Sequence, residues 1–87
     1  MRLLFTEPAW NDYLWFVEND RALLKRINQV IQNCQRTPFT GIGKPESLKS
    51  DLSGYWSRRI NTEHRLVYQV KADDLIIVSC RFHYAKK

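Results

Sequence analysis

The chain has 87 residues, 44% hydrophobic and 26% charged, with 14 Lys and Arg against 9 Asp and Glu for a formal charge of +5. This composition excludes a disordered chain, and the length allows one small domain, residues 1–87, with a thin core. No apolar run approaches the ~20 residues of a membrane span and the first residues lack a signal-peptide pattern, so a soluble, cytoplasmic protein with no membrane partner is expected, its charge directed at an anionic one.

In chain order, "RLLF" reads as a short first strand. "TEP" opens a helix, with Thr6 or Glu7 as N-cap and Pro8 at the first helical position, where its missing N–H costs nothing. Trp10, Tyr13, Leu14 and Val17 recur at helical spacing and predict its buried face. Asn19-Asp20 interrupts the pattern, and Asp20 is a natural N-cap for a second helix. Its stripe is Leu23, Leu24, Ile27, Val30, Ile31 and Cys34, with Arg21, Lys25, Asn28 and Gln32 opposite. Thr37-Pro38 ends it.

From Arg36 to Gly54, Gly41, Gly43 and Pro45 forbid a long regular element, so a loop is expected. "YWSRRIN", "RLVYQV" and "LIIVSCRFHY" follow as three strands joined by the turns "NTEH" and "KADD". The order βααβββ is an α+β layer fold, an antiparallel meander with both helices on one face of the sheet. Cys34 and Cys80 fall in apolar patterns and read as buried thiols. His64 and His83 form no metal-ligand spacing, and no metal or cofactor is expected.

A three-residue turn at Ala72–Asp74 would place Lys71 opposite Leu75. Leu66, Tyr68 and Val70 would then share an apolar face with Ile76, Val78, Cys80 and Phe82. Arg65 would oppose Arg81 on the other face, with His83 just beyond. A similar turn at Asn61–Glu63 would put Arg59 opposite Arg65; a slip of one residue would present Arg58 instead. Like charges opposed across strands destabilise a sheet, so three Arg and a His at one sheet end point to a phosphate-binding surface. Lys44, Lys49, Arg58 and Arg59 fit an RNA-backbone track.

"GKPESLK", "LSGYWSRRI", "EHRLVY" and the terminal "CRFHY", in this order, resemble the YoeB/Txe family of the RelE superfamily of bacterial toxin–antitoxin ribonucleases. The resemblance runs from "EPAWNDYLWF" to His83-Tyr84. It implies the RelE-like fold and a metal-independent mRNA endonuclease that acts in the ribosomal A site, between the 30S and 50S subunits, and so inhibits translation. It implies neutralisation by an acidic antitoxin of the YefM/Axe type, operator DNA binding only through the toxin–antitoxin complex, and in some members a homodimer. Carried over residue by residue, Glu46 is the general base, Arg65 the transition-state cation, His83 the general acid, and Tyr84 the residue that orients RNA. Lys49 and Arg59 match phosphate-contacting positions, and Arg81 would add to them. The final Ala85-Lys86-Lys87 departs from the family pattern, in which chains commonly stop at or just after the Tyr. Without the resemblance, the residues also fit a non-catalytic RNA- or ribosome-binding module, or a basic protein that binds an acidic partner.

Overall fold

The computed structural model describes residues 1–82; His83, Tyr84 and Ala85–Lys87 lie outside the described residues. The elements are β1 (Arg2–Phe5), α1 (Glu7–Asn19), α2 (Arg21–Arg36), β2 (Glu46–Ser47), one 3₁₀ turn (Ser50–Leu52), β3 (Trp56–Arg59), β4 (Arg65–Lys71) and β5 (Asp74–Ser79). They form a five-stranded sheet of order β1-β5-β4-β3-β2, antiparallel except where β1 runs parallel to β5. The expected α+β order stands, with β2 as an added edge strand inside the expected loop. Among the described residues no helix is long and apolar enough to cross a membrane.

Both helices begin where their caps dictate. The Thr6 hydroxyl accepts from the Ala9 N–H at 3.3 Å and the Asp20 carboxylate from the Leu23 N–H at 3.1 Å, each satisfying a donor that the helix start would otherwise leave open. The stripe of α2 packs as expected: Ile27, Val30, Ile31 and Cys34 are buried, with Leu23 and Leu24 packed against them. The face of α1 is rotated from the expected one. Ala9 and Phe16 are buried, Tyr13 packs against the core, and Trp10 and Leu14 are exposed. Trp10 instead stacks on Tyr13, with centroids 5.7 Å apart.

On the sheet, Leu66, Tyr68, Leu75, Ile77 and Cys80 join this core. That corrects the expected face of β5, and the cause is the turn. The turn holds two residues, so Lys71 pairs with Asp74, Val70 with Leu75 and Tyr68 with Ile77. Leu75 and Ile77 therefore face the helices where Ile76 and Val78 were expected. A register shift follows at Val67/Tyr68, and Val67 pairs with Ser79, the pairing that a three-residue turn would have given. One extra residue in a strand inverts the side-chain alternation beyond it, which returns Cys80 to the core. Thr6 secures this irregular stretch, its hydroxyl donating to the Val78 carbonyl at 3.3 Å, and Asp12 accepts the Cys80 N–H at 3.1 Å.

Arg58, expected on the RNA track, lies in the interior with no exposed surface. Trp56 and Arg58 alternate with Ser57 and Arg59 along β3, and the paired registers put Arg58 beside Leu66 on the helix-facing side. All five of its N–H donors are used. Nε donates to the Tyr68 hydroxyl at 3.2 Å, and Nη1 to Asn33 Oδ1 at 2.6 Å and the Ile42 carbonyl at 3.2 Å. Nη2 donates to the carbonyls of Thr37 and Thr40, the latter at 2.8 Å. The Tyr68 hydroxyl passes its own proton to the Pro38 carbonyl at 2.6 Å. The acceptors are neutral oxygens of one loop, residues 37–42, and of Asn33 and Tyr68. An unpaired buried cation is held there by dipoles alone, so losing any of them is expensive. The glycines fit this arrangement. A Cβ at Gly41 (φ +120°) would lie 2.0 Å from Asn33 Oδ1, and one at Gly43 (φ +82°) 2.9 Å from the Arg59 carbonyl.

Lysine carries the same charge but only three donors, so Arg58→Lys leaves carbonyls of the cage unsatisfied and should lower unfolding free energy by about 2–3 kcal/mol. Urea denaturation checks this, with an unchanged midpoint contradicting the cage. Burial pushes the Tyr68 phenol from 10.0 up to about 12, against a lowering by Arg58, and burial, aided by Asp12, pushes the Cys80 thiol from 9.0 up to about 12. Both groups keep their protons in the fold at pH values where the unfolded chain loses them. Their contribution to stability is complete below about pH 9 and is lost as pH rises toward about 12. The urea midpoint should therefore fall between about pH 8 and pH 11, less steeply for Tyr68→Phe.

Candidate active site

The cage delivers Glu46. Once residues 37–42 wrap Arg58, the Gly43 carbonyl accepts the Arg59 N–H at 2.6 Å, Lys44 turns through a positive φ of 53°, and Pro45 leads into β2. Glu46 then pairs with Ser57, Ser57 with Val67, and Val67 with Ser79. Paired residues share a face, so these four form one row across the side of the sheet away from the helices. The next row is Arg59 paired with Arg65. Two strand spacings across and two residues along separate Glu46 from Arg65 by about 12 Å between Cα atoms. Among the described residues Glu46 makes no ion pair with either arginine. A carboxylate and two guanidiniums thus stand in neighbouring rows on this face, beside the buried Ser57 and Val67, without neutralising one another among the described residues.

Arg65 is half-buried and oriented by its own turn. Nη1 donates to the Asn61 carbonyl at 2.7 Å and to its neighbour His64's carbonyl at 3.1 Å, while Nε and Nη2 make no hydrogen bond among the described residues. Those two nitrogens can take an anion in a fork. Asn61 holds the turn, its Oδ1 accepting from the N–H groups of Glu63 at 2.9 Å and His64 at 2.7 Å. Lys44, Lys49 and Arg59 are exposed near Glu46 in the chain or beside it in the sheet.

Two expected RNA contacts are elsewhere. Arg58 is enclosed in its cage. Arg81 does not stand opposite Arg65, because β5 ends at Ser79 and the chain turns toward α1. Its guanidinium lies 3.7 Å from the Trp15 ring centroid, and its Nε is buried with no hydrogen-bond partner among the described residues. A guanidinium on an indole face gains cation–π attraction in place of exposure to RNA. Sequence reasoning also passed over His64, which is 6% exposed and joins the chain's last described residue to the site. Its place beside Arg65, in the turn facing the end of the last strand, is the signal that could have drawn notice. His83 and Tyr84 lie outside the described residues.

Residues 5–84 match the family described as the YoeB-like toxin of the bacterial type II toxin–antitoxin system. The chain is 64% identical to the toxin YoeB of Synechocystis over 86 residues, which cover 99% of this chain and 100% of that protein. This chain belongs to the YoeB-like toxins. Its backbone follows the solved YoeB/ParE toxin from Agrobacterium tumefaciens with a TM-score of 0.94, at 49% identity over 97% of this chain and all of that one. YoeB of Staphylococcus aureus, solved as a dimer and in a heterotetrameric YoeB–YefM toxin–antitoxin complex, gives 0.89 and 0.88 at 47% identity, over 97% of this chain and 98% of each of those. The chain is therefore the toxin of a type II system, and its RelE-like fold is shared more distantly with YafQ from Escherichia coli.

The opposed arginines of the YoeB-like toxin should repel in the absence of a ligand. Arg59→Gln is expected to raise the urea midpoint of the free toxin at low salt, an effect that disappears in high salt. The same variant should bind single-stranded RNA more weakly, with a log–log salt slope smaller by about 0.7. A lower midpoint at low salt would show that Arg59 is stabilising rather than poised for an anion.

Proposed function

We propose that this toxin is an endoribonuclease that cuts mRNA in the ribosomal A site by metal-independent acid–base chemistry. The observation that carries the reading is the shared sheet face on which Glu46 and the Arg59–Arg65 pair stand apart, with no ion pair between them among the described residues. A scissile phosphate over Arg65 would have the Glu46 carboxylate on the same face, and on the family pattern His83 would serve as the acid. Glu46 takes the proton of the 2′-hydroxyl, whose oxygen attacks phosphorus. Arg65 balances the charge of the phosphorane through Nε and Nη2, an effect worth roughly 3 kcal/mol per donor in a dry site. His83 protonates the departing 5′-oxygen, each proton transfer contributing roughly 10²–10⁴-fold. The O2′–P bond forms, the P–O5′ bond breaks, and the products are a 2′,3′-cyclic phosphate and a 5′-hydroxyl. Tyr84 orients the RNA, and Lys44, Lys49 and Arg59 hold its backbone.

The partners proposed for this chain follow from the same surface. An acidic YefM-like antitoxin would lay a negatively charged segment over the arginine row and relieve its repulsion, operator DNA would be reached through that complex, and a toxin homodimer is proposed by analogy with the staphylococcal one. A non-catalytic binding module would need the cations but not Glu46, whose side chain makes no ion pair among the described residues.

Single-turnover cleavage on ribosomes tests the reading. A message carrying a 2′-deoxy nucleotide at the cut should bind and stay intact. Glu46→Gln should slow cleavage by roughly 10²-fold or more, and His83→Gln should do so with ribosome affinity kept. Normal cutting of the 2′-deoxy message would rule out this mechanism.

A further inference from the structure

The three residues before His83 are each fastened by a different side chain. The Cys80 N–H donates to Asp12 on α1, and the Arg81 guanidinium lies on Trp15 of the same helix. Phe82 is held by the turn between β3 and β4. Its N–H donates to Nδ1 of His64 at 2.7 Å, and its carbonyl accepts from the Arg65 N–H at 3.1 Å. Phe82 has a φ of +66°, a left-handed conformation that bulky residues rarely keep unless their surroundings impose it. The His64 ring cannot swing to release it. It stands edge-on to the buried Phe16 ring at 5.1 Å, and its Nε2 faces the Glu63 carboxylate at 3.6 Å.

Because Nδ1 accepts, the ring's proton sits on Nε2. A residue whose only task was to fill this space beside Phe16 would need no acceptor aimed at an amide 18 residues away in a strained turn. One dipeptide, His64-Arg65, therefore carries the transition-state cation and also grips the backbone of the residue that precedes the general acid.

We propose that His64 is a positioning residue for catalysis: by accepting the Phe82 amide it imposes the left-handed turn from which His83 is presented relative to Arg65. The proposal rests on the assignment of His83 as general acid. Small displacements of a reacting group lower rate far more than they lower binding, so the signature is a fall in kcat with ribosome affinity kept.

Two variants separate the acceptor from the ring. His64→Phe keeps the edge contact with Phe16 and removes the acceptor, whereas His64→Asn places Oδ1 where Nδ1 was and gives up the ring. His64→Phe is expected to slow single-turnover mRNA cleavage roughly 10- to 100-fold with unchanged ribosome affinity, and His64→Asn to recover most of the loss. Hydrogen exchange of the Phe82 amide should quicken by about tenfold or more in His64→Phe and stay slow in His64→Asn. Imidazole nitrogen NMR of the unmodified toxin, which needs no variant to fold, should show the Nε2–H tautomer; an Nδ1–H tautomer overturns the proposal. Wild-type cleavage by His64→Phe beside a dead His83→Gln also overturns it and leaves the acid assignment standing. Wild-type cleavage by His83→Gln removes the acid assignment, and the catalytic role of His64 with it, even where exchange shows the amide bond present.

Discussion

The buried guanidinium of Arg58 is the constraint around which the rest of this structure is arranged. A cation without a carboxylate partner stays inside a protein only when every donor is met, and here the chain supplies the oxygens by wrapping residues 37–42 around it. That wrapping uses glycines at 41 and 43, closes α2 against β3, and sets the point at which the chain re-enters the sheet as β2. The position of Glu46 is thus a consequence of the interior. The loop that sequence alone presents as irregular is regular in another sense, since each of its turns answers a donor of one side chain.

The opposite face of the sheet is arranged on the contrary rule. Arg59 and Arg65 are opposed, and among the described residues neither they nor Glu46 in the neighbouring row makes an ion pair. Cations packed together at a sheet surface lower stability in the free protein and gain it back with an anion, as expected of a site preorganised for phosphate. The fold contrasts an interior arginine satisfied five times over with the half-buried Arg65, which donates from one nitrogen alone among the described residues. Two adjacent residues of β3, Arg58 and Arg59, divide between the interior and this face by strand alternation alone.

Much of this was legible in the sequence, for reasons that differ by element. The stripe of α2 and the caps at Thr6 and Asp20 are local signals and hold. The pairing of Arg59 with Arg65 follows from a turn whose Asn61 fixes its own geometry. The face of β5 did not follow, because a two-residue turn and a later shift of register offset each other, and both lie outside what side-chain alternation can report. Arg58 and Arg81 were misplaced for a shared reason: a sequence shows a charge but not the carbonyl cage or indole face that lets it be buried. The face of α1 was misread because Trp10 and Tyr13 stack on each other, so an aromatic at helical spacing faced outward. His64 carries no motif, and its importance comes from a contact with a segment 18 residues away.

In the mechanism proposed for this toxin, Glu46, Arg65 and His83 cut RNA by making the neighbouring 2′-oxygen the nucleophile. The most direct measurement is the chemistry of the two new ends on an mRNA cut by this toxin on the ribosome. Attack by the 2′-oxygen requires a 2′,3′-cyclic phosphate on the upstream fragment and a 5′-hydroxyl on the downstream one. A 3′-hydroxyl with a 5′-phosphate would mean that water, not the 2′-oxygen, attacked the phosphorus, and would contradict it.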